Sequence, residues 1–276
     1  MTAPLTAIFF DVDDTLYSTS EFAEQARRNS IRAMIEVGLK ADPEYLLREL
    51  EEVVREFSSN YEYHFDKLLL RLPRRLYRGV NPAVIIAAGI AAYHDTKFRY
   101  LRPFEDAYEV LKLLSRTKLI RGIITAGLEK KQAEKLVRMR IVPYLTPQAI
   151  FISDQLGVSK PNEKLYQRAC SDLNVKPSSA MYVGDNPLTD IDPPNRIGMY
   201  TVQVVRGGRH AEERGATEPD WRISNFWELV DILRDRFGID IEQRPAEEQS
   251  SGEVHPSEGA TAENGKEPGR SDRGVA

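Results

Sequence analysis

The sequence predicts an α/β fold in which helices cover both faces of a parallel sheet. Five short segments are almost continuously apolar, as expected of strands buried on both faces, and they alternate with amphipathic helical patterns. A long helical stretch interrupts this alternation once, directly after the first strand. We therefore expect a parallel-sheet core with an all-helical insert behind its first strand.

The individual elements follow from these patterns. The strand candidates lie at 6–12, 119–125, 149–152, 180–183 and 200–205. Core helices are predicted where apolar residues recur at helical spacing, at 105–116, 128–140, 163–173 and 226–237. In the insert, turn-forming segments separate four more helical patterns, at 21–39, 43–57, 63–72 and 82–98.

The chain divides into a core, an insert and a tail. We assign residues 1–17 and 103–241 to a Rossmann-like core and residues 18–102 to the helical insert. Residues 242–276 contain no aromatic residue and only two valines, so they cannot bury enough apolar surface to offset their chain entropy. Their eight acidic and four basic residues account for the whole net charge of -4. We predict a disordered acidic tail.

Composition excludes several classes of function. Acidic and basic residues are equal in number before the tail, so we expect no basic face for nucleic-acid phosphates. The single cysteine, Cys170, cannot form an intramolecular disulfide, which fits a reducing compartment. No apolar run approaches the ~18 residues of a membrane-spanning helix, and the N-terminus has no signal-peptide pattern. We expect a cytoplasmic protein with small partners, without nucleic acid or membrane.

Two aspartates follow the first predicted strand, in the stretch IFFDVDDTLY. Because side chains alternate along a strand, Asp11 and Asp13 can point in one direction, at the carboxyl end where open α/β sheets bind ligands. Two adjacent carboxylates resist double ionisation unless a cation neutralises them or one keeps a proton. We interpret the pair as catalytic. The alternative is that both residues cap a helix or solvate a loop.

A second acidic pair, Asp185 and Asp190, follows the predicted strand that ends at Val183. Gly184 permits a tight turn there. Carboxylates from two loops at one edge of the sheet suit Mg²⁺, which takes few protein carboxylates and keeps waters and a phosphate oxygen. The alternative is a plain turn, since Gly, Asp, Asn and Pro all favour turns.

Two further elements can bind an anion. A strand ends at Thr125, and Ala126 and Gly127 then open a helix, so a hydroxyl and free backbone amides come together. The alternative is that Thr125 only caps the helix. Lys160 precedes Pro161, which suits the start of another helix. A lysine in such a place is usually solvated, so Lys160 matters only if it faces the other three elements.

Taken together and in this order, the four elements resemble the haloacid dehalogenase superfamily. Asp-x-Asp-x-Thr follows the first strand, a threonine ends a later strand, a lysine precedes a helix, and Gly-Asp-x-x-x-x-Asp comes last. The resemblance extends from about Leu5 to Phe237. It implies that the helical insert is a mobile cap whose closure excludes water and helps to select substrate. It also implies that Thr15 orders the first loop.

The resemblance implies a role for each matching residue. Asp11 would be the nucleophile that attacks phosphorus, and Asp13 would protonate the leaving oxygen and then activate the water that hydrolyses the aspartyl-phosphate. Thr125, the Ala126 amide and Lys160 would hold the phosphoryl oxygens. The implied cofactor is Mg²⁺, and its ligands would be Asp11, the backbone carbonyl of Asp13, Asp185, and Asp190 directly or through water or Lys160.

Asp13 argues for phosphate chemistry, because the true dehalogenases of this superfamily attack carbon, need no Mg²⁺ and lack this acid. Several segments, among them GIITAGLEKKQAEKL, are similar to archaeal phosphatases assigned to glyceraldehyde 3-phosphate and to uncharacterised bacterial relatives. We therefore expect a Mg²⁺-dependent phosphatase for a small phosphorylated metabolite, and a homodimer. A phosphotransferase or mutase of the superfamily, and an inactive binding or regulatory protein on the same fold, stay open as alternatives.

Residues that select the substrate are expected in the cap. Tyr17, Tyr63, His64 and Lys67 are candidates, although aromatic and long basic side chains at helical spacing also serve for packing or solvation. Ala126 departs from the family pattern, in which Asn or Asp often follows the threonine or serine of this motif. A side-chain contact to substrate or nucleophile is therefore expected to be missing there.

Overall fold

Six strands form one sheet in the computed structural model, which describes residues 4–207, 210 and 212–241. The strands are β1 (Ala7–Phe10), β2 (Ile120–Thr125), β3 (Ile150–Ile152), β4 (Ala180–Gly184), β5 (Tyr200–Val204) and β6 (Trp221–Ile223). Every neighbouring pair is parallel, and the order across the sheet is β3-β2-β1-β4-β5-β6. The predicted Rossmann-like α/β fold is confirmed.

Strand β1 lies at the centre of the sheet, between β2 and β4. Its last residue, Phe10, is level with Ile123 on one side and with Val183 on the other. The chain first builds β2 and β3 on one side of β1 and then adds β4, β5 and β6 on the other. Because the loops diverge where the order reverses, a crevice forms at the carboxyl ends of β1 and β4, where open α/β sheets bind ligands.

The helical insert between β1 and β2 has a buried apolar cluster of its own. Its helices are α1 (Thr19–Glu36), α2 (Pro43–Phe57), α3 (His64–Arg71) and α4 (Pro82–Tyr100), and each contributes to that cluster. Ser18, Asp42 and Asn81 cap α1, α2 and α4 by accepting backbone N–H groups. Insert and core belong to one compact unit that ends at Ile241, and the domain boundary at 102/103 stays a prediction.

Core helices cover both faces of the sheet. They are α5 (Glu105–Leu114), α6 (Glu129–Arg138), α7 (Ser153–Leu156), α8 (Glu163–Asp172), α9 (Asp192–Arg196) and α10 (Phe226–Phe237). Because side chains alternate along β1, Ile8 and Phe10 pack with α5, α6 and α10 on one face. Ala7 and Phe9 pack with α8 on the other face. Both faces of β1 are therefore shielded from solvent, which explains its continuous apolar run.

The structure contains elements that the sequence patterns did not predict. Strand β6 is only three residues long with Arg222 exposed, and it forms because Trp221 pairs in register with Val202 of β5. A π-helical turn, Pro187–Ile191, follows β4 and leads directly into α9. Within the described ranges, no helix combines the length and apolar character needed to cross a bilayer. The predicted acidic tail, 242–276, lies outside the described residues.

Candidate active site

The carboxyl ends of three neighbouring strands bring predicted site residues together. Asp11 follows β1, Thr125 ends β2 and Asp185 follows β4. The Asp11 amide donates to the Val183 carbonyl at 2.9 Å, which extends the β1–β4 ladder by one residue. Asp11, Thr125 and Asp185 are all buried. Their polar side chains therefore form the floor of a crevice in an otherwise apolar core.

Three carboxylates meet around one lysine. Asp11, Asp185 and Asp190, here called the acidic cluster, each place an oxygen within 4.8 Å of the other two. Lys160 Nζ donates to Asp11 Oδ1 at 2.6 Å and to Asp190 Oδ1 at 2.7 Å. Oδ2 of Asp185 is buried and has no hydrogen-bond partner in the described structure. One lysine faces three carboxylates, so the cluster is short of positive charge.

Burial and mutual repulsion shift the titration of the acidic cluster. The pKa of Asp11 rises to about 7, first because burial disfavours its charge, although Lys160 acts in the opposite direction. The pKa of Asp185 rises to about 8 for the same first reason, and the charges of Asp190 and Asp11 add to it. Burial opposes the charge of Lys160, but Asp11 and Asp190 outweigh it and raise the pKa of the lysine.

The loop after β4 fixes the position of Asp190. The Asn186 amide donates to Asp190 Oδ2 at 3.1 Å, and the Asn186 side chain accepts from the Leu188 amide at 2.9 Å. A Cβ at Gly184 would lie 2.5 Å from the Asp190 Cβ, which is closer than side chains tolerate. Gly184 is therefore required by the close approach of Asp190, in addition to the turn that the sequence predicts.

Lys160 reaches the acidic cluster from the loop before α8. Its side chain is 5% exposed, so the alternative of a solvated surface lysine is wrong. The Lys160–Pro161 peptide bond is cis. Helix α8 begins at Glu163, where Asn162 caps it, so Pro161 stands two residues before the helix instead of opening it.

Asp13 faces a different set of partners. Lys135 of α6 places its Nζ 2.6 Å from Oδ1 and 2.7 Å from Oδ2 of Asp13. Gln132 Nε2 donates to Oδ2 at 3.1 Å, and the Tyr17 hydroxyl donates to Oδ1. Both carboxylate oxygens are thus occupied by donors. The side chain of Asp13 does not belong to the acidic cluster, although it lies two residues from Asp11.

These partners lower the pKa of Asp13, whereas the pKa values of Asp11 and Asp185 are raised. Burial alone would raise the pKa of Asp13, but the charge of Lys135 and the hydrogen bonds from Lys135, Tyr17 and Gln132 outweigh it and hold the pKa below its usual value. Burial, together with the charge of Asp13, raises the pKa of Tyr17, so the phenol stays a donor. In the absence of substrate, Asp13 is therefore ionised at neutral pH.

The segment after β2 agrees with the sequence prediction in one respect and differs in another. The Thr125 hydroxyl is buried and has no hydrogen-bond partner among the described residues, so it is available to a ligand. The Gly127 amide, which was predicted to be free, donates to Ser153 Oγ at 2.9 Å. Helix α6 begins only at Glu129, whose amide donates to Asp154 at 3.0 Å.

Two residues beside Asp13, Lys135 and Gln132, were not predicted from the sequence. They lie 122 and 119 residues from Asp13, so no local motif connects them to it. One signal exists: Gln132 stands one helical turn before Leu136 on the buried face of α6, where an apolar residue is expected. A buried polar residue of this kind needs a partner.

The cap residues considered for substrate contact have mostly local partners. Tyr17 is buried beside Asp13, as described above. Tyr63 is 56% exposed. His64 bonds to a backbone carbonyl of its own loop, and Lys67 Nζ lies 5.4 Å from the centre of the Phe57 ring. His64 and Lys67 therefore have partners within the insert, and a role of either residue in substrate contact stays a prediction.

A cavity of about 770 Å³ lies away from the acidic cluster, in the helical insert. The residues that line it include Leu69, Arg74, Tyr77, Arg78 and Ile86. No carboxylate of the acidic cluster is among its lining residues. The carboxyl ends of the central strands, where the titratable groups converge, are therefore the candidate active site.

The fold and this site define a class of protein. The family model of the haloacid dehalogenase-like hydrolases matches residues 8–204, from β1 to the end of β5. The chain belongs to that family. A solved structure of a family phosphatase from Thermococcus onnurineus is similar, with a TM-score of 0.58 over 83% of this chain and 98% of that chain, and at 21% identity the likeness shows a shared fold.

Two relatives narrow the class. A glyceraldehyde 3-phosphate phosphatase of Methanopyrus kandleri is 46% identical over 234 residues, which cover 83% of this chain and 97% of that protein. A protein of the same name from Pyrococcus furiosus is 40% identical over 237 residues, which cover 85% of this chain and 95% of that protein. The family match and these two relatives together identify the protein as a phosphoric monoester hydrolase.

Proposed function

We propose that the protein is a Mg²⁺-dependent phosphatase that hydrolyses a small phosphorylated metabolite through an aspartyl-phosphate on Asp11. One observation carries the proposal: the acidic cluster and Lys160 converge at the carboxyl end of the central strand. Enzymatic phosphoryl transfer depends on positioning and on neutralisation of negative charge. A buried nucleophile held by a lysine beside a site for a cation meets both needs.

The acidic cluster fits a small, hard cation. Three carboxylates supply oxygens within 4.8 Å of one another, and Oδ2 of Asp185 is buried without a hydrogen-bond partner among the described residues. We propose that Asp11, Asp185 and Asp190 hold Mg²⁺, with the backbone carbonyl of Asp13 as a further ligand on the family resemblance. When bound, the ion neutralises charge on the phosphoryl group.

In the first half-reaction, an oxygen of Asp11 forms a bond to phosphorus while the bond from phosphorus to the ester oxygen breaks. Lys160 holds Asp11 for this attack. The free hydroxyl of Thr125 and Nζ of Lys160 donate to phosphoryl oxygens, together with the Ala126 amide on the family resemblance. Asp13 takes up a proton as the negatively charged substrate binds beside it, and gives that proton to the leaving oxygen, so the alcohol departs uncharged.

In the second half-reaction, ionised Asp13 takes a proton from water. The water oxygen bonds to phosphorus, the bond between Asp11 and phosphorus breaks, and inorganic phosphate leaves. Asp13 ends with the proton that it gave away in the first step, so the cycle closes. The low pKa of Asp13, which Lys135 and the hydrogen bonds maintain against burial, favours the ionised form that this step needs.

The proposed substrate is a small phosphorylated metabolite, with triose phosphates as the first choice. Both relatives described above are named glyceraldehyde 3-phosphate phosphatases and align along nearly their whole length. We propose residues 18–102 as the cap that encloses such a substrate. Lys97 of α4 pairs with Glu134 of α6 at 2.9 Å, and Lys131 of α6 donates to the Asn60 carbonyl at 2.8 Å. These contacts hold the insert close to the core.

The test is phosphate release from a panel of triose phosphates, sugar phosphates, nucleotides and p-nitrophenyl phosphate, with Mg²⁺ and with EDTA. Wild type is compared with Asp11→Asn, which excludes a contaminating phosphatase. We expect release that requires both Mg²⁺ and Asp11, highest on a triose phosphate. Release that persists in EDTA, or in Asp11→Asn, would contradict the proposal.

A further inference from the structure

Lys135 of α6 forms the closest ionic contact of Asp13 in the described structure. Its Nζ lies 2.6 Å from one oxygen of the Asp13 carboxylate and 2.7 Å from the other. The lysine side chain is 21% exposed, and its Nζ also lies 5.7 Å from the centre of the Tyr17 ring. In the two half-reactions described above, this partly buried ammonium group only keeps the pKa of Asp13 low, and no role in placing the carboxylate is assigned to it.

The backbone near Asp13 does not fix its side chain by itself. Strand β1 ends at Phe10, so Asp13 lies beyond the regular ladder. The next residue, Asp14, has a positive φ of 55°, a conformation typical of a turn. The direction of the Asp13 carboxylate therefore depends on the side chains that donate to it.

Helix α6 connects these donors to the other side of the site. Gln132, three residues before Lys135, donates to Asp13 and also to the Ala126 carbonyl at 2.8 Å. A Cβ at Gly127 would lie 2.6 Å from Gln132 Nε2, so the chain after β2 passes directly against this amide. One face of α6 thus holds Asp13 at a set distance from the segment that carries Thr125.

We propose that Lys135 is a positioning residue, which holds the Asp13 carboxylate in the place where it meets the leaving oxygen and the attacking water. The inference rests on the proposed function, because the proposed function assigns the acid and base steps to Asp13. Lys135 itself does not contact the reacting atoms. Removing it should leave substrate binding intact and impair both proton transfers.

The experiment compares Lys135→Met and Lys135→Arg with Lys130→Met. Lys130 is an exposed lysine of the same helix and serves as the matched control. With an alkyl phosphate, we expect Lys135→Met to lower kcat by about 100-fold, the order of effect of a misplaced catalytic group, with KM changed by less than about threefold. Lys135→Arg should recover part of kcat, and Lys130→Met should match wild type. Equal kcat in Lys135→Met and Lys130→Met would overturn the proposal.

A second arm tests whether Lys135 acts through Asp13. In an Asp13→Asn background, Lys135→Met should lower kcat no further, because the group that it positions is gone. A loss of kcat in that background as large as in wild type would overturn the proposal. If Lys135→Met does not fold, as judged by circular dichroism, Lys135→Gln replaces it in both arms.

The outcome also separates this inference from the proposed function. Activity that survives in Asp11→Asn or in EDTA overturns the proposed function itself, whatever Lys135 does. Activity that needs Asp11 and Mg²⁺ but does not respond to Lys135→Met overturns only the positioning role.

Discussion

Asp11 and Asp13 are two residues apart, yet their surroundings act on them in opposite directions. Asp11 is buried and Asp13 is half-buried, and removal from water acts to raise the pKa of each. Asp11 shares Lys160 with Asp190, and its pKa rises to about 7. Asp13 has Lys135 and three neutral donors, Tyr17, Thr19 and Gln132, and its pKa falls below the usual value. The difference shows that counter-charges and donors, together with depth of burial, decide the protonation state of a carboxylate.

The contrast also separates the proposed roles. Titratable groups whose surroundings push their pKa values apart are how active sites assign different tasks to chemically equal residues. The acidic cluster lacks positive charge and so suits a cation and a phosphoryl group. Asp13 has donors on both carboxylate oxygens without a cation or a phosphoryl group. It therefore suits proton transfer.

The largest expected effect is that of Asp11→Asn. A side-chain amide at this position cannot form the acyl phosphate, so phosphate release should fall by at least about 10⁴-fold, the order seen when a nucleophile is removed. The same change removes one buried negative charge while Lys160 keeps Asp190. The metal-free variant should therefore melt at a higher temperature than wild type in EDTA. A variant that loses activity and also stability would show that the acidic cluster is not under repulsion.

Lys160→Met should have the next largest effect, because it takes away the lysine that two members of the acidic cluster share. Leaving buried charges unpaired costs about 3–5 kcal/mol, so we expect a marked loss of metal-free stability in urea denaturation near neutral pH. Mg²⁺ should restore part of it. Lys164→Met, which changes an exposed lysine of α8, is the matched control and should unfold at the same urea concentration as wild type. Equal stability of the two variants would contradict the account.

The metal-free protein should lose stability as pH rises. Asp11 and Asp185 have pKa values of about 7 and about 8 in the folded protein against 3.8 when unperturbed. Between roughly pH 4 and pH 8 these groups hold more protons in the folded state than in the unfolded state, so through them the free energy of unfolding falls with pH. Mg²⁺ binds the ionised carboxylates, so it should stabilise more at high pH.

Calorimetry with EDTA and with Mg²⁺, at about pH 5.5 and about pH 8, checks this prediction. The increase in Tm caused by Mg²⁺ should be larger at the higher pH. An increase that is equal or smaller there would mean that the acidic cluster is already ionised without metal.

The smallest effect is expected at the other carboxylate, for Tyr17→Phe. The change deletes one donor to Asp13 and leaves Lys135, Gln132 and Thr19 in place. A hydrogen bond to a charged group contributes about 1.5–3 kcal/mol, so stability should fall by no more than this. We expect kcat on an alkyl phosphate to fall less than in Lys135→Met. A larger fall than in Lys135→Met would show that Tyr17 contacts the substrate directly.

The sequence predicted the residues whose position follows from sheet geometry. Parallel strands end at one edge, so apolar runs followed by Asp11, Thr125 and Asp185 were enough to place these side chains together. The fold class followed from the same alternation of strands and helices. Strand β6 was missed because three residues, one of them an exposed arginine, give no strand pattern.

The partners of Asp13 could not be predicted in this way. Lys135 and Gln132 come from a helix 122 and 119 residues away, and their reach depends on how α6 packs on the sheet. A lysine on an amphipathic helix is usually solvated, and the sequence offers no local feature that distinguishes Lys135 from Lys130 or Lys131. The difference appears only when the fold brings α6 against the loop after β1.

The central claim is that Asp11 accepts the phosphoryl group, and a trapping experiment tests it directly. Asp13→Asn is mixed with Mg²⁺ and with p-nitrophenyl phosphate that is labelled in its phosphoryl group. The mixture is quenched in acid, and the protein is digested for peptide mapping. The leaving group is good enough to depart without an acid, whereas hydrolysis of the acyl phosphate lacks its base. We predict label on the peptide that contains Asp11, and none in Asp11→Asn. Release of p-nitrophenol by Asp13→Asn without covalent label, or label on another peptide, would contradict the account.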